Sequence, residues 1–453
     1  MSSRKKLPGD LCPYSTYYDL ASPLAPLIKD AKEQACIPTL AYAVRRSDTV
    51  LVGPASPTPR ETKSLSDLDD IDVMRMHMSM ALFYRGGGVD GVHPAGVIRR
   101  ALAKALVHYY PLAGRLREIE GRKLVVDCTG EGVLFVQADA DVQLADLEAA
   151  GPGHGLSPPF PCWDQLLFDV EGSGGLLNTP IMLIQVTRFL CGGFVVALRF
   201  SHTICDGIGI SQFMNAVGEL ARGLPSMTVT PVWCRELIMH GAQPRGNSTP
   251  PRAGCTPTSG SVSSLPQHLR VTATTFEALA ALIWRARTVA LELPPGEDAP
   301  LGFPVNIRGA GVLSLPAGYY GNAMVPSITM VNSAALCSGS LGDAVALVRR
   351  AKDAVTTEYV RSMVDGMVML GRRVLVPANL LGITDARRIG LDRVDLGLSE
   401  PVFAGPAEPL IFGLSYFVVV KDRNGVDAVS VPVVLPPRAM DRFVAEVERS
   451  LGA

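Results

Sequence analysis

The stretch Phe200-Ser201-His202-Thr203-Ile204-Cys205-Asp206-Gly207 closes one apolar run and opens another. Before it, Phe194 to Phe200 reads as a strand, joined through Gly192-Gly193 to a second strand from Pro180 to Arg188, which predicts a hairpin. After it, Ile210, Phe213, Met214, Val217, Leu220 and Ala221 share one face of a helix. Gly223 suits the end of that helix, and Pro225 follows. An H-x-x-x-D-G sequence thus falls between a strand C-terminus and a helix N-terminus. Such a junction exposes backbone N–H groups and suits a loop that carries chemistry. A neutral imidazole there is a good general base near pH 7. The residues between His202 and Asp206 let one loop present the base while the carboxylate turns the other way.

Outward from this centre, Val97, Ala101, Leu102, Ala105 and Leu106 predict a helix over 97–109, broken by Pro111-Leu112-Ala113-Gly114-Arg115. Strands are expected at 123–126 and 132–138, and at 74–84, where Met76, Met78 and Met80 alternate as core filler. Thr39 to Val44 reads as a short apolar strand, and Ser64 to Asp72 as a turn. From about Gly241 to Ser264 the composition shifts to Gly, Pro, Ser and Thr without periodicity. This predicts an N-terminal domain at 1–240, a crossover loop at 241–270 and a C-terminal domain at 271–453. The last begins with a helix over 276–291 and then mixes strands (323–330, 410–420, 428–434) with helices (341–355, 438–451).

Composition excludes several classes. Of 453 residues, 47% are hydrophobic and 19% charged, enough for large buried cores. Lys plus Arg is 42 against 43 Asp plus Glu, which carries no signal for nucleic acid. The 9 cysteines are scattered without a C-x-x-C pair, so reduced thiols are expected, with no disulfide framework and no metal. Arg4, Lys5 and Lys6 lead into Leu7-Pro8-Gly9-Asp10 and not into an apolar run, and no stretch has the length of a membrane span. A soluble, cytoplasmic protein is expected.

Four segments together carry a family resemblance: His202-Thr-Ile-Cys-Asp206-Gly207, Tyr110-Pro-Leu-Ala-Gly-Arg115, Val305-Asn306-Ile307-Arg308 and Gly318-Tyr-Tyr-Gly-Asn322. In these the chain resembles the plant BAHD acyl-CoA-dependent acyltransferases over nearly its whole length. Arg117 to Gly132 resembles the branch containing benzyl alcohol benzoyltransferases and the grass p-coumaroyl-CoA monolignol transferases. The resemblance implies an α/β (α+β) fold of two chloramphenicol-acetyltransferase-like domains, mixed sheets flanked by helices, with a channel between them. It implies acyl-CoA as co-substrate, a small alcohol or amine as acceptor, a monomer, and no permanently bound cofactor. His202 is then the general base, with no acyl-enzyme. Cys205 offers a nucleophile beside it, but the resemblance marks that position as variable.

The resemblance also implies that Asp206 is a structural anchor, salt-bridged to Arg308, in place of a triad partner. It sets Thr384 in the channel near the thioester, and Thr274, Thr275 and Arg388 on the CoA side. A hydroxyl before a helix is otherwise a cap, and an arginine otherwise a solvated charge. The family's D-F-G-W-G segment reads Asp395-Leu396-Gly397-Leu398-Ser399 here, keeping Asp395 and Gly397 as structural residues. Leu398 for Trp removes packing surface, and Ser399 for Gly strains the turn if φ is positive there. The crossover and the segment 406–412 are shorter than the family's. These departures keep a second reading open, a catalytically impaired paralogue that binds CoA or a small ligand. A nonribosomal condensation domain shares the architecture but carries a second His where Ser201 stands.

Overall fold

The structure is a computed structural model describing residues 40–86, 93–151, 155–241, 273–309, 312–373, 376–407, 413–421 and 427–451. Along the chain its strands are β1 (Val44–Arg46), β2 (Val50–Val52), β3 (Thr62–Ser64), β4 (His77–Tyr84), β5 (Arg115–Glu118), β6 (Leu124–Asp127), β7 (Val133–Ala140), β8 (Met182–Arg188), β9 (Phe194–Ser201), β10 (Asp298–Asn306), β11 (Met324–Asn332), β12 (Leu381–Asp385), β13 (Pro401–Pro406), β14 (Leu414–Lys421) and β15 (Asp427–Ser430). Its helices are α1 (Pro94–His108), α2 (Leu144–Ala150), α3 (Trp163–Leu166), α4 (Gly207–Ala221), α5 (Thr275–Ala290), α6 (Ser333–Ser338), α7 (Leu341–Asp353), α8 (Thr357–Met369) and α9 (Pro437–Leu451).

The apolar run of β9 is buried on both faces, which makes it a central strand. It pairs antiparallel with β8, Val196 opposite Val186, and with β4, Leu198 opposite Met80. The sheet order is β1-β7-β8-β9-β4-β13, with β2 also on β7, and β7 runs parallel to β8. One face packs on α1 and α4 through Ile98, Leu102, Leu106, Ile210, Phe213 and Val217. The other buries Phe83, Val195 and Ala197 against Phe160, Trp163 and Phe403. The methionines of β4 enter the first of these cores, as their alternation predicts.

A second sheet, β11-β10-β12-β14-β15, mixes antiparallel and parallel pairs. Helices α5, α7 and α9 cover it through Trp284, Val348 and Phe443, packed against Phe303 and Phe417. Strands β3, β6 and β5 form a small third sheet. No helix among the described residues is long and apolar enough to cross a membrane.

Several expected boundaries move for local reasons. Helix α1 begins at Pro94, ahead of the apolar periodicity, because His93 caps it by accepting from Ala95 N at 3.1 Å and proline is tolerated in the first turn. The strand expected at 39–44 is instead β1; Tyr42 there donates its hydroxyl to Pro161 O at 3.1 Å, anchoring coil. Helix α8 went unread, although Val360, Val364 and Met367 mark its buried face. The crossover expected at 241–270 lies, beyond Gly241, outside the described residues. Strand β13 also departs from a simple division at that crossover: from the C-terminal half it pairs antiparallel with β4, Phe403 opposite Phe83 and Gly405 opposite Ala81. Its prolines are compatible with this because it is the edge strand.

Candidate active site

Strand β9 ends by delivering His202 into a turn tied down on both sides. Ser201 N donates to Ile181 O at 2.9 Å and His202 N to Met76 O at 2.8 Å. The hydroxyls of Ser201 and Thr203 share a bond of 2.6 Å. Asp206 then caps α4, its Oδ1 accepting from Ile208 N at 3.1 Å and Gly209 N at 3.0 Å. Gly209 lets α4 approach the Tyr319–Asn322 segment; a Cβ there would fall 2.1 Å from Tyr320 O.

The remaining capacity of Asp206 goes to the C-terminal half. Arg308 grips it bidentately, Nη1 to Oδ2 at 2.9 Å and Nη2 to Oδ1 at 2.8 Å, and Ala323 N donates to Oδ2 at 3.0 Å. Arg308 Nη2 also donates to Gly321 O at 2.6 Å. The imidazole is not among these partners, and the carboxylate ties the His202 loop to the second half of the chain. Burial holds the His202 pKa below its ordinary value, against the opposing pull of its own peptide oxygen, Asp206, Asn322 and Asp69. The imidazole is therefore neutral at pH 7. Its Nδ1 is enclosed without a hydrogen-bond partner among the described residues, and the residue as a whole is half-buried.

Sequence reasoning missed a second network behind the loop. Fully buried Asp69 accepts from Ser66 N at 2.8 Å and Ser66 Oγ at 2.7 Å. It also accepts from Asn322 N and Nδ2, both at 2.9 Å, and from Arg235 Nη1 at 3.0 Å. Arg235 reaches on to Ile204 O at 2.7 Å and is enclosed by the rings of Trp233, Tyr319 and Tyr320. A Cβ at Gly321 would fall 1.3 Å from Arg235 Nη1, so only glycine fits there. Asn322 Nδ2 also donates to His202 O at 2.8 Å. The available signal was Leu65, Leu68 and Ile71 spaced by three, which marks 65–71 as buried and its aspartates as needing partners.

The other residues expected at the site are dispersed. Thr384 is half-buried near the end of β12, opposite Tyr416. The chain beyond it returns to the His202 loop, where Ile389 lies 3.2 Å from a Cβ built on Gly207. Arg388 is exposed, whereas neighbouring Arg387 pairs with Asp385 at 2.7 Å. Thr274 caps α5, its hydroxyl accepting from Glu277 N at 3.3 Å, and Thr275 is exposed in the first turn. Asp395 folds onto Gly397 N at 2.8 Å and meets Arg222 at 3.2 Å. Cys205 is buried and its thiol is pushed well up by burial, which removes it as a nucleophile. Among the described residues no His, Cys, Asp and Glu cluster could hold a metal.

Two sheets flanked by helices, with a histidine loop where the halves meet, form the chloramphenicol-acetyltransferase-like two-domain architecture. The solved structure of vinorine synthase matches at a TM-score of 0.66 and 22% identity, covering 90% of this chain and 98% of that one. F. graminearum TRI101 complexed with coenzyme A and T-2 mycotoxin matches at 0.66 and 15%, covering 85% and 97%. The model of the Transferase family matches residues 43–259 and 258–450. Benzyl alcohol O-benzoyltransferase of Petunia hybrida is 41% identical, over 91% of this chain and 94% of its own length. (Z)-3-hexen-1-ol acetyltransferase of Arabidopsis thaliana is also 41% identical, over 91% and 96%. The chain belongs to the Transferase family, among its BAHD acyltransferases.

Proposed function

We propose that this chain transfers an acyl group, an aromatic one, from CoA to the hydroxyl of a small alcohol, with His202 as general base. One observation carries the reading: an imidazole neutral by burial, on a loop braced from both halves of the molecule. Identity to an alcohol benzoyltransferase and an alcohol acetyltransferase supports the reaction class, and the coenzyme A complex of TRI101 supports the co-substrate.

In this reading Nε2 takes the proton of the acceptor hydroxyl as its oxygen attacks the thioester carbonyl. The C–O bond forms, the tetrahedral intermediate collapses, the C–S bond breaks, and the protonated ring returns the proton to the departing thiolate. No acyl-enzyme is needed. Thr384, half-buried on the segment that leads back to Gly207, is in this reading the side chain that lines the channel near the thioester. The free thiols of the described residues support a reducing compartment such as the cytosol.

The test incubates the protein with benzoyl-, p-coumaroyl- and acetyl-CoA against a panel of alcohols and amines, read by mass spectrometry. Ester is expected, and His202→Ala should remove it by about 10²-fold or more while keeping the circular dichroism spectrum. Undiminished ester formation by that variant overturns the reading. Amide as the sole product would move the reaction to N-acylation.

A further inference from the structure

We infer that the loop 54–60 is a phosphorylation site: Ser56 and Thr58 are acceptors for a proline-directed protein kinase, and Arg60 is the residue that receives the phosphate.

The sequence Pro54-Ala55-Ser56-Pro57-Thr58-Pro59-Arg60 sets each hydroxyl residue directly before a proline. A residue in that place is held extended, and the proline offers no N–H to a neighbouring strand. The loop joins β2 to β3 and is tied at its two ends, where Ala55 N donates to Ala103 O at 2.8 Å and Cys128 N to Glu61 O at 2.9 Å. Between those ends, residues 56–60 form no backbone hydrogen bond with any described residue. Ser56 is exposed and Thr58 half-buried, and neither hydroxyl is bonded to another described residue. An extended segment with a free hydroxyl is what a kinase cleft takes up. Two other Ser/Thr-Pro pairs lack these properties: Ser157 is buried, and Thr179 Oγ1 donates to Gly175 O at 2.6 Å.

Arg60 supplies the second half of the site. Ser56, Thr58 and Arg60 line one open pocket of about 280 Å³, together with Pro54, Pro57 and Gly130. A Cβ built on Gly130 would meet Arg60 Cζ, Nη1 and Nη2, each at 3.4 Å, so the guanidinium lies flat across that turn. Its N–H groups have no partner among the described residues. The nearby carboxylates are engaged elsewhere, Glu61 with Lys63 and Glu131 with Arg115, each at 3.2 Å. The pocket therefore sets a positive charge without a counter-charge beside two free hydroxyls.

In the transfer, the hydroxyl oxygen attacks the γ-phosphorus of ATP. The new O–P bond forms as the bond from phosphorus to the β,γ-bridging oxygen breaks, ADP leaves, and the hydroxyl proton passes to the base of the kinase. The product carries close to two negative charges and three acceptor oxygens. Arg60 meets it with a planar fork of donors. The phosphate then clasps the loop to the turn between β6 and β7.

The full chain is incubated with ATP, Mg²⁺ and a proline-directed kinase of the cyclin-dependent or mitogen-activated class, and phosphate is located by mass spectrometry. Phosphate is expected on Ser56 or Thr58 of the native protein, and its absence from both overturns the inference. The role of Arg60 is read by ³¹P nuclear magnetic resonance, with the signal assigned by its loss in the Ser56→Ala, Thr58→Ala double variant. The second ionisation of a free phosphoserine or phosphothreonine falls at about pH 6. Its midpoint in the protein should lie about half a unit lower, the reach of an exposed ion pair. It should return to the free value in Arg60→Gln. A midpoint in the wild type equal to that of a phosphorylated peptide of residues 52–59, which lacks Arg60, overturns the clasp. Neither readout involves ester formation, so failure here is separate from failure of the His202 reading.

Discussion

At the scale of single residues, Asp206 spends its bonds on the His202 loop and on Arg308, and none on the imidazole. Asn322 braces the same loop through the peptide oxygen of His202. Every bond of Asp206 is to a backbone N–H or to Arg308, and the pair spans the two halves of the chain. Asp206→Ala leaves the Arg308 guanidinium in a largely closed site without its counter-charge. Removing one partner of a buried pair typically costs about 3–5 kcal/mol. The denaturation midpoint should fall accordingly, together with turnover, since the cap of α4 and the loop are lost at once. Arg308→Lys, which keeps the charge and loses the fork, should show a smaller loss of the same sign. A midpoint for Asp206→Ala equal to wild type would contradict the anchor role.

At the scale of elements, the altered Asp395–Ser399 segment is a well-formed turn. Gly397 has φ +71°, and a Cβ there would fall 2.9 Å from Arg222 Cγ. Ser399 is absent from the positive-φ residues, so serine brings no backbone strain to that position. Leu396 is buried in the core of the first sheet and Leu398 packs against it, so both leucines keep the apolar contact of the segment. Gly397→Ala should destabilise by about 1–2 kcal/mol, the usual cost of a left-handed L-residue. Ser399→Gly should bring no gain, and increased stability in that variant would mean that the turn is strained after all. Elements of this kind divide in how legible they were. The β8–β9 hairpin followed from two apolar runs joined at Gly192-Gly193, and α4 and α5 from the helical spacing of the faces they bury. Strand β13 was not legible: prolines at both of its ends argue against a strand, and the pairing partner of its Phe403, Phe83, lies in the other half of the chain. His202 was legible from its place between strand and helix. Asp69 and Arg235 were not, since the charges that neutralise each other there are 166 residues apart in sequence.

At the scale of the whole molecule, the two halves are bound by more than a surface contact. Strand β13 completes the N-terminal sheet, and Ala407 N donates to Ser79 O at 3.1 Å just beyond it. Tyr84, buried in that sheet, donates its hydroxyl to Val394 O at 2.9 Å. Asp206 with Arg308, and Asp69 with Asn322, are charged or polar pairs that close only when both halves are present. An N-terminal fragment of residues 1–240 would leave the edge of β4 unpaired and both aspartates without their C-terminal donors. Exposed edges and unpaired buried charges both oppose folding. That fragment should therefore be insoluble or lack near-ultraviolet circular dichroism. The full chain should unfold in one transition, with calorimetric and van't Hoff enthalpies in agreement. Two resolved transitions, or a soluble fragment with a native-like near-ultraviolet spectrum, would show instead that each half folds alone. The bracing of the base loop from the C-terminal side would then be a docking event, separable from folding.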